Sequence, residues 1–225
     1  KLTPSSDSDV RVEIWLPQSG WNRKLQASGN GGLGGEIPYP AMAASVKAGY
    51  PAAGTDGGHV GGNADFVPGH PEKLVDFGHR AIHEMTVTAK TIVTRHYDSP
   101  PARAYFSSCS TGGRQALMEA QKFPDDYDGI IARAPANRTS LSMWIAHAVL
   151  KDPASYIPAT MYPLIHKGAL DACDAKDGLK DGLISDPERC SFDPAVLLCK
   201  GGDGPSCLTN AQVTAAKKMY SPPLN

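Results

Sequence analysis

The chain has 225 residues, with 22 basic against 23 acidic side chains and a formal net charge of -1. Such balance gives no reason to expect nucleic acid or an anionic membrane as a partner, and no apolar run approaches the roughly 20 residues of a membrane-spanning helix. With 41% hydrophobic residues the chain is expected to pack one sizeable core, with length left for an insertion or a second small domain.

Lys1 opens abruptly in polar sequence, as if an upstream segment had been removed. Val10 to Leu16 alternates apolar and polar residues and reads as a strand. A second short strand, Lys24 to Ser28, enters a glycine-rich loop from Gly29 to Gly35. Ala41 to Ala48 is expected to be helical, and Tyr50 to Thr55 is a short apolar strand ending in Asp56-Gly57-Gly58-His59. The longest helical stretch runs from Leu74 to His96, where Ile82, Met85, Ala89, Ile92 and Val93 follow the 3.6 period. After Pro100-Pro101 come a strand at Ala104 to Ser107, a helix from Gly113 to Phe123 stopped by Pro124, and a buried strand at Gly129 to Ala132. Strands alternating with helices predict a parallel sheet covered on both faces. Beyond Pro135 the character changes. Leu141 to Leu150 and Tyr162 to Ala172 look helical, the rest reads as loop, and no strand repeat follows. Residues 1–136 are therefore assigned to an α/β domain and 137–225 to an insertion or lid.

Five cysteines are present, at 109, 173, 190, 199 and 207. Four lie in loop-like sequence without adjacent histidine, which favours disulfides and an oxidising compartment over zinc. Cys173 with Cys190 and Cys199 with Cys207 is the most economical of three possible connectivities, leaving Cys109 over. The Asn137-Arg138-Thr139 sequon is compatible with secretion.

The strand ending at Ser107 leads into Ser108-Cys109-Ser110-Thr111-Gly112-Gly113, with a helix following at once. A nucleophile elbow needs this context: the turn is so tight that the residues two before and two after the nucleophile must be small. Ser110 is the candidate nucleophile. Gly112 is the small residue after it; Ser108 stands where the usual pattern has glycine. The N–H of Thr111 is the first candidate oxyanion donor, at a helix amino end whose dipole favours negative charge. The second is expected from the glycine loop, at Gly31 and then Gly32, where backbone can approach a ligand closely. The same loop matches G-x-G-x-x-G with Asp56 beyond it. A dinucleotide loop must open directly into a helix, however, and Pro38 and Pro40 intervene. A serine-rich loop before a helix, or a thiol hydrolase using Cys109, are the competing readings.

Between Cys173 and Cys190, carboxylates at Asp174, Asp177 and Asp181 alternate with glycines. Hard oxygens on a turning backbone suit calcium. Side chains of these three, with the carbonyls of Leu179 and Leu183, form the expected ligand set in a structural role. A solvated acidic turn is the plainer alternative.

Three stretches together resemble the tannase and feruloyl esterase family: Asp76-Phe77-Gly78-His79-Arg80-Ala81-Ile82-His83-Glu84-Met85-Thr86, Cys109-Ser110-Thr111-Gly112-Gly113-Arg114-Gln115-Ala116-Leu117, and Phe123-Pro124-Asp125-Asp126-Tyr127-Asp128-Gly129-Ile130-Ile131-Ala132. The acidic loop resembles that family's lid calcium site, and the resemblance covers about residues 10 to 190. It implies a partial α/β-hydrolase sheet with an inserted lid, in a secreted serine esterase. The implied substrates are galloyl, feruloyl or related aromatic esters, including polysaccharide- or polyphenol-linked ones. It further implies that Cys109 is bridged to a cysteine outside this chain, one that precedes the catalytic histidine. The catalytic Asp and His would then lie in a C-terminal remainder beyond Asn225, the order Ser, Asp, His being that of the fold. A non-catalytic calcium-binding fragment or partner chain is the alternative.

Overall fold

A computed structural model describes residues 1–137, 139–202 and 204–221. It divides into two compact units, Lys1–Asn137 and Arg138–Asn225. The Asn137-Arg138-Thr139 tripeptide includes Arg138, which lies outside the described residues.

The first unit is built on a five-stranded sheet: β1 (Val12–Trp15), β2 (Lys24–Ala27), β3 (Ala52–Thr55), β4 (Arg103–Cys109) and β5 (Gly129–Arg133), in the order β1-β3-β2-β4-β5. β2 is parallel to both β3 and β4, and β4 to β5, each step crossing over through a helix. The first strand corrects the expectation of an all-parallel sheet, because β1 runs antiparallel to β3, with Ile14 opposite Ala53. A parallel crossover needs about a dozen residues or more, and the segment 16–23 is too short and holds no helix.

Helix α1 (Tyr39–Lys47) starts with Pro38 at its cap and Pro40 in its first turn. Proline's fixed φ and missing N–H suit that position. The two prolines thus open a helix rather than keep one away from the glycine loop, as the sequence argument had it. Glu36 and Ile37 still separate loop from helix. A short helix α2 (Pro71–Val75) and a π-helical turn (Asp76–Arg80) lead into α3 (Ala81–Tyr97) without a break. α4 is Thr111–Lys122.

Leu25, Ala27, Ala53, Ala104 and Phe106 of the sheet pack against Ile82, Met85, Ala89 and Val93 of α3, all but inaccessible to water. Each of the larger side chains stabilises the fold by about 1.5–3 kcal/mol through burial. Ile92, expected on the same face, is instead 38% exposed. The opposite face of β3 meets α1, where a Cβ on Gly54 would lie 2.7 Å from Met42 Sδ. Helices therefore cover both faces.

The second unit holds α5 (Thr139–Leu150), α6 (Tyr162–Cys173) and α7 (Asn210–Met219), with short 3-10 turns between them. α7 was expected to be loop. Its start is a capping box: Thr209 accepts from the Gln212 N–H, and Gln212 reciprocates to the Thr209 N–H. Ile157, Met161, Leu208, Val213 and Ala216 form its core. Disulfides join Cys173 to Cys190 and Cys199 to Cys207, the pairing expected above. An apolar hollow of about 780 Å³ is lined by Val149, Tyr156, Ile165, Phe192 and Tyr220 among others. Among the described residues no helix is long and apolar enough to cross a membrane.

Candidate active site

β4 ends at Cys109 and α4 begins at Thr111, so Ser110 alone makes the turn. Its backbone is at φ 60°, ψ -120°, a region that costs a side-chain-bearing residue on the order of 1–3 kcal/mol. Three backbone hydrogen bonds hold it there. The Ser110 N–H donates to Arg133 O at 3.0 Å, and its carbonyl accepts from Arg114 and Ala136, each at 3.0 Å. Close packing underneath explains the small residues. A Cβ on Gly112 would lie 1.9 Å from Ser108 Oγ, and one on Gly113 2.4 Å from Arg133 O. Ser108 is buried in this contact, whereas Ser110 is exposed and its hydroxyl has no hydrogen-bond partner among the described residues.

The glycine loop is bonded directly to this turn. Gly112 N–H donates to Asn30 O at 2.8 Å, and Thr111 Oγ1 donates to Gly32 O at 2.6 Å. Gly31 and Gly32 are exposed, Gly32 with φ at +56°. The N–H groups of Thr111, Gly31 and Gly32 find no acceptor among the described residues. They lie at the amino end of a 12-residue helix, whose dipole adds positive potential there.

Sequence reasoning missed the residues that tie the loop down. Asn30 N–H donates to Gln115 Oε1 at 3.0 Å, Gln115 Nε2 donates back to Asn30 Oδ1 at 2.8 Å, and Asn30 Nδ2 donates to the carbonyls of Glu36 and Thr55. Both side chains are buried. The signals were a glutamine on the inward face of α4 and an asparagine among glycines directly after a strand.

No histidine bonds to Ser110 among the described residues. His83 Nδ1 lies 2.7 Å from Asp126 Oδ2 and its ring stacks on Phe123. His147 and His166 are exposed on α5 and α6 of the second unit. Asp56 is buried and accepts from the N–H groups of Arg11 and Gly58; burial pushes its carboxyl above the usual range despite those bonds. His59 is buried as well, with Nε2 2.7 Å from Leu33 O. Deeper in the same unit, Glu119 of α4 is fully buried, and neither of its oxygens has a hydrogen-bond partner among the described residues. Burial, then the neighbouring Asp126 carboxyl, pushes Glu119 up to about 8, so its neutral form prevails at pH 7.

In the acidic loop, Asp174 is buried and accepts from the N–H groups of Asp181 and Gly182. Asp177 accepts from Leu179 and Ser185, and Asp181 from Leu183. The backbone bonds to Ser185 and Leu179 hold the Asp177 carboxyl below its usual range. Among the described residues no three metal-ligating side chains converge. The carbonyls of Leu179 and Leu183 accept no hydrogen bond there, so hard oxygen donors remain available at the loop surface. Cys109 is exposed and unbridged.

A mixed sheet with helices on both faces, and a strained serine between strand and helix, define the α/β-hydrolase fold. Within that class, a family model described as tannase and feruloyl esterase matches residues 2–225, and the chain belongs to that family. It is 40% identical over 228 residues to an uncharacterized esterase of Xanthomonas campestris pv. campestris, covering 99% of this chain and 40% of the relative. Feruloyl esterase B of Aspergillus niger is 36% identical, with 98% of this chain and 43% of the relative covered. The crystal structure of feruloyl esterase B from Aspergillus oryzae superposes with a TM-score of 0.78 at 35% identity, over 98% of this chain and 46% of that one. The tannin acyl hydrolase of Aspergillus niger gives 0.61 at 25% identity, over 96% and 44%. The chain thus spans less than half the length of the relatives it matches.

Proposed function

We propose that this chain supplies the nucleophile and oxyanion-binding part of a serine esterase acting on esters of aromatic acids of the feruloyl or galloyl type. The observation that carries this is Ser110, exposed in a strained turn beside unpaired N–H groups at a helix amino end. In the proposed reaction a histidine outside the chain, oriented by an aspartate also outside it, takes the Ser110 proton. Ser110 Oγ attacks the ester carbonyl. The N–H groups of Thr111 and of Gly31 or Gly32 stabilise the tetrahedral oxyanion, each worth on the order of 3 kcal/mol. The alcohol leaves with a proton from the histidine, and water then hydrolyses the acyl-enzyme by the same steps. The serine rather than Cys109 is the nucleophile because one residue alone occupies the turn.

The substrate class follows the printed names of the relatives, whether the ester is free or carried by a polysaccharide or polyphenol. The second unit acts as the lid. A structural calcium on its loop 174–183 would have to draw together Asp174, Asp177 and Asp181, which do not converge among the described residues without it, and would add the carbonyls of Leu179 and Leu183. Two disulfides support an oxidising, extracellular setting, in which Cys109 bridges to a cysteine elsewhere in the full protein. Ser110→Ala in the full-length enzyme is expected to abolish turnover of methyl ferulate and methyl gallate while leaving the thermal midpoint unchanged. Retention of turnover by that variant would refute the assignment.

A further inference from the structure

Residues 30–33 of the glycine loop have every carbonyl engaged. Asn30 O accepts from Gly112 N–H, Gly31 O from Gly34 N–H at 2.8 Å, Gly32 O from Thr111 Oγ1 and Leu33 O from His59 Nε2 at 2.7 Å. Peptide units are planar, so fixing a carbonyl also fixes the N–H of the next residue. The N–H groups at 31 and 32 take their direction from the bonds to Asn30 O and Gly31 O; the Leu33–Gly34 peptide supplies the Gly34 N–H that holds Gly31 O, so the bond to Leu33 O acts on Gly32 N–H through Gly34. Three of the four bonds come from the elbow or from the loop itself. The fourth comes from the turn after β3.

His59 is built into that turn firmly. A carbonyl only accepts, so Nε2 carries the ring hydrogen, and Nδ1 is buried without a partner among the described residues. The ring stacks on Phe66 at 3.8 Å and meets the edge of Phe77 at 5.4 Å. Phe77, on the π-helical turn, lies 4.9 Å under the Arg114 guanidinium. Arg114 donates to the carbonyls of Gly78 and Phe77 at 2.9 and 3.1 Å, and its own N–H bonds to Ser110 O. A closed circuit runs from Ser110 through Arg114, Phe77 and His59 to Leu33, and back through Gly32 and Thr111. The His59 backbone seals it, since a Cβ on Gly35 would lie 2.3 Å from His59 O.

We infer that His59 is a positioning residue for catalysis: by holding the Leu33 carbonyl it fixes the Leu33–Gly34 peptide, whose N–H holds Gly31 O and so orients the Gly32 N–H towards the oxyanion. This rests on the esterase reading above. π-Helical turns concentrate at functional sites, and here the turn places Phe77 between the histidine and the helix behind the nucleophile.

Two variants separate the bond from the packing. His59→Phe keeps a ring between Phe66 and Phe77 but has no donor; His59→Gln can present an N–H near the Nε2 position. In the full-length enzyme, His59→Phe is expected to lower kcat for methyl ferulate roughly 10- to 100-fold, less than outright loss of an oxyanion donor, with KM nearly unchanged. The thermal midpoint should stay within about 4 °C, and His59→Gln should restore most of kcat. Amide hydrogen exchange at Gly34, the amide of this stretch that is hydrogen-bonded among the described residues, should be at least about tenfold faster in His59→Phe. Wild-type kcat in His59→Phe, or equal impairment of kcat, KM and midpoint in both variants, would overturn the role. If Ser110→Ala keeps turnover, the esterase reading has failed. The exchange rates then decide alone, with unchanged exchange overturning the inference.

Discussion

Gly112→Ala is the substitution whose outcome the elbow geometry determines most tightly. In an ordinary helix it would stabilise by about 1 kcal/mol through backbone entropy. Here the new Cβ would sit 1.9 Å from Ser108 Oγ, 2.5 Å from Ser108 Cβ and 3.1 Å from Asn30 O. The hydroxyl can rotate away, but the Cβ–Cβ overlap is relieved only if β4 and α4 separate. Overpacking of this kind costs about 1–3 kcal/mol, and more when backbone must move. A net loss of about 1–2 kcal/mol lowers the midpoint by about 2–8 °C for a chain of this size. Ser108→Gly restores the glycine of the usual elbow and removes both nearest atoms. Alone it costs about 0.5–1 kcal/mol in backbone entropy. Combined with Gly112→Ala it should recover most of the loss, giving a coupling of about 1–2 kcal/mol in a double-mutant cycle. Thermal unfolding followed by circular dichroism on the four proteins supplies the numbers. A Gly112→Ala protein as stable as wild type, or additivity of the two changes, would refute the packing argument.

The remaining predictions concern pH and metal. Glu119 binds its proton more tightly folded, at about 8, than at the ordinary carboxyl value of 4.5. The stability from its neutral form is therefore complete below about 4.5 and is lost as pH rises towards 8, at up to about 1.4 kcal/mol per pH unit for one proton. Glu119→Gln should remove that slope and be the more stable protein at pH 8.5; identical pH profiles for the two would contradict it. For the acidic loop, calcium at about 100 times its dissociation constant should stabilise the second unit by about 2.7 kcal/mol, reversibly with chelator, and Asp177→Asn should weaken the response. A midpoint indifferent to calcium and chelator alike would remove the metal from the account.

The strands β2 to β5 and the elbow were legible because apolar runs and small residues leave direct marks in sequence. Local pattern also placed α5, α6 and both disulfides. What escaped depends on partners distant in sequence. The antiparallel direction of β1 is the exception, because the short segment 16–23 between it and β2 is readable in the sequence and leaves no room for a parallel crossover. At the π-helical turn Asp76–Arg80, Arg80 pairs with Asp76 and with Glu72, eight residues away, and no local pattern marks the turn. Asn30 and Gln115, 85 residues apart, look unremarkable until they face each other. The α7 start was a different miss: Thr209 and Gln212 spell a capping box in local sequence, but loop-like surroundings obscured it.

The central claim is that the hydroxyl at position 110 is the group that reacts. Intact full-length protein treated with a serine-directed fluorophosphonate and mapped by peptide mass spectrometry tests it most directly. A single adduct on Ser110, lost in Ser110→Ala, is the expected result. Persistent ester turnover with Ser110 unlabelled, or modification of unreduced Cys109 by iodoacetamide with matching loss of activity, would contradict it.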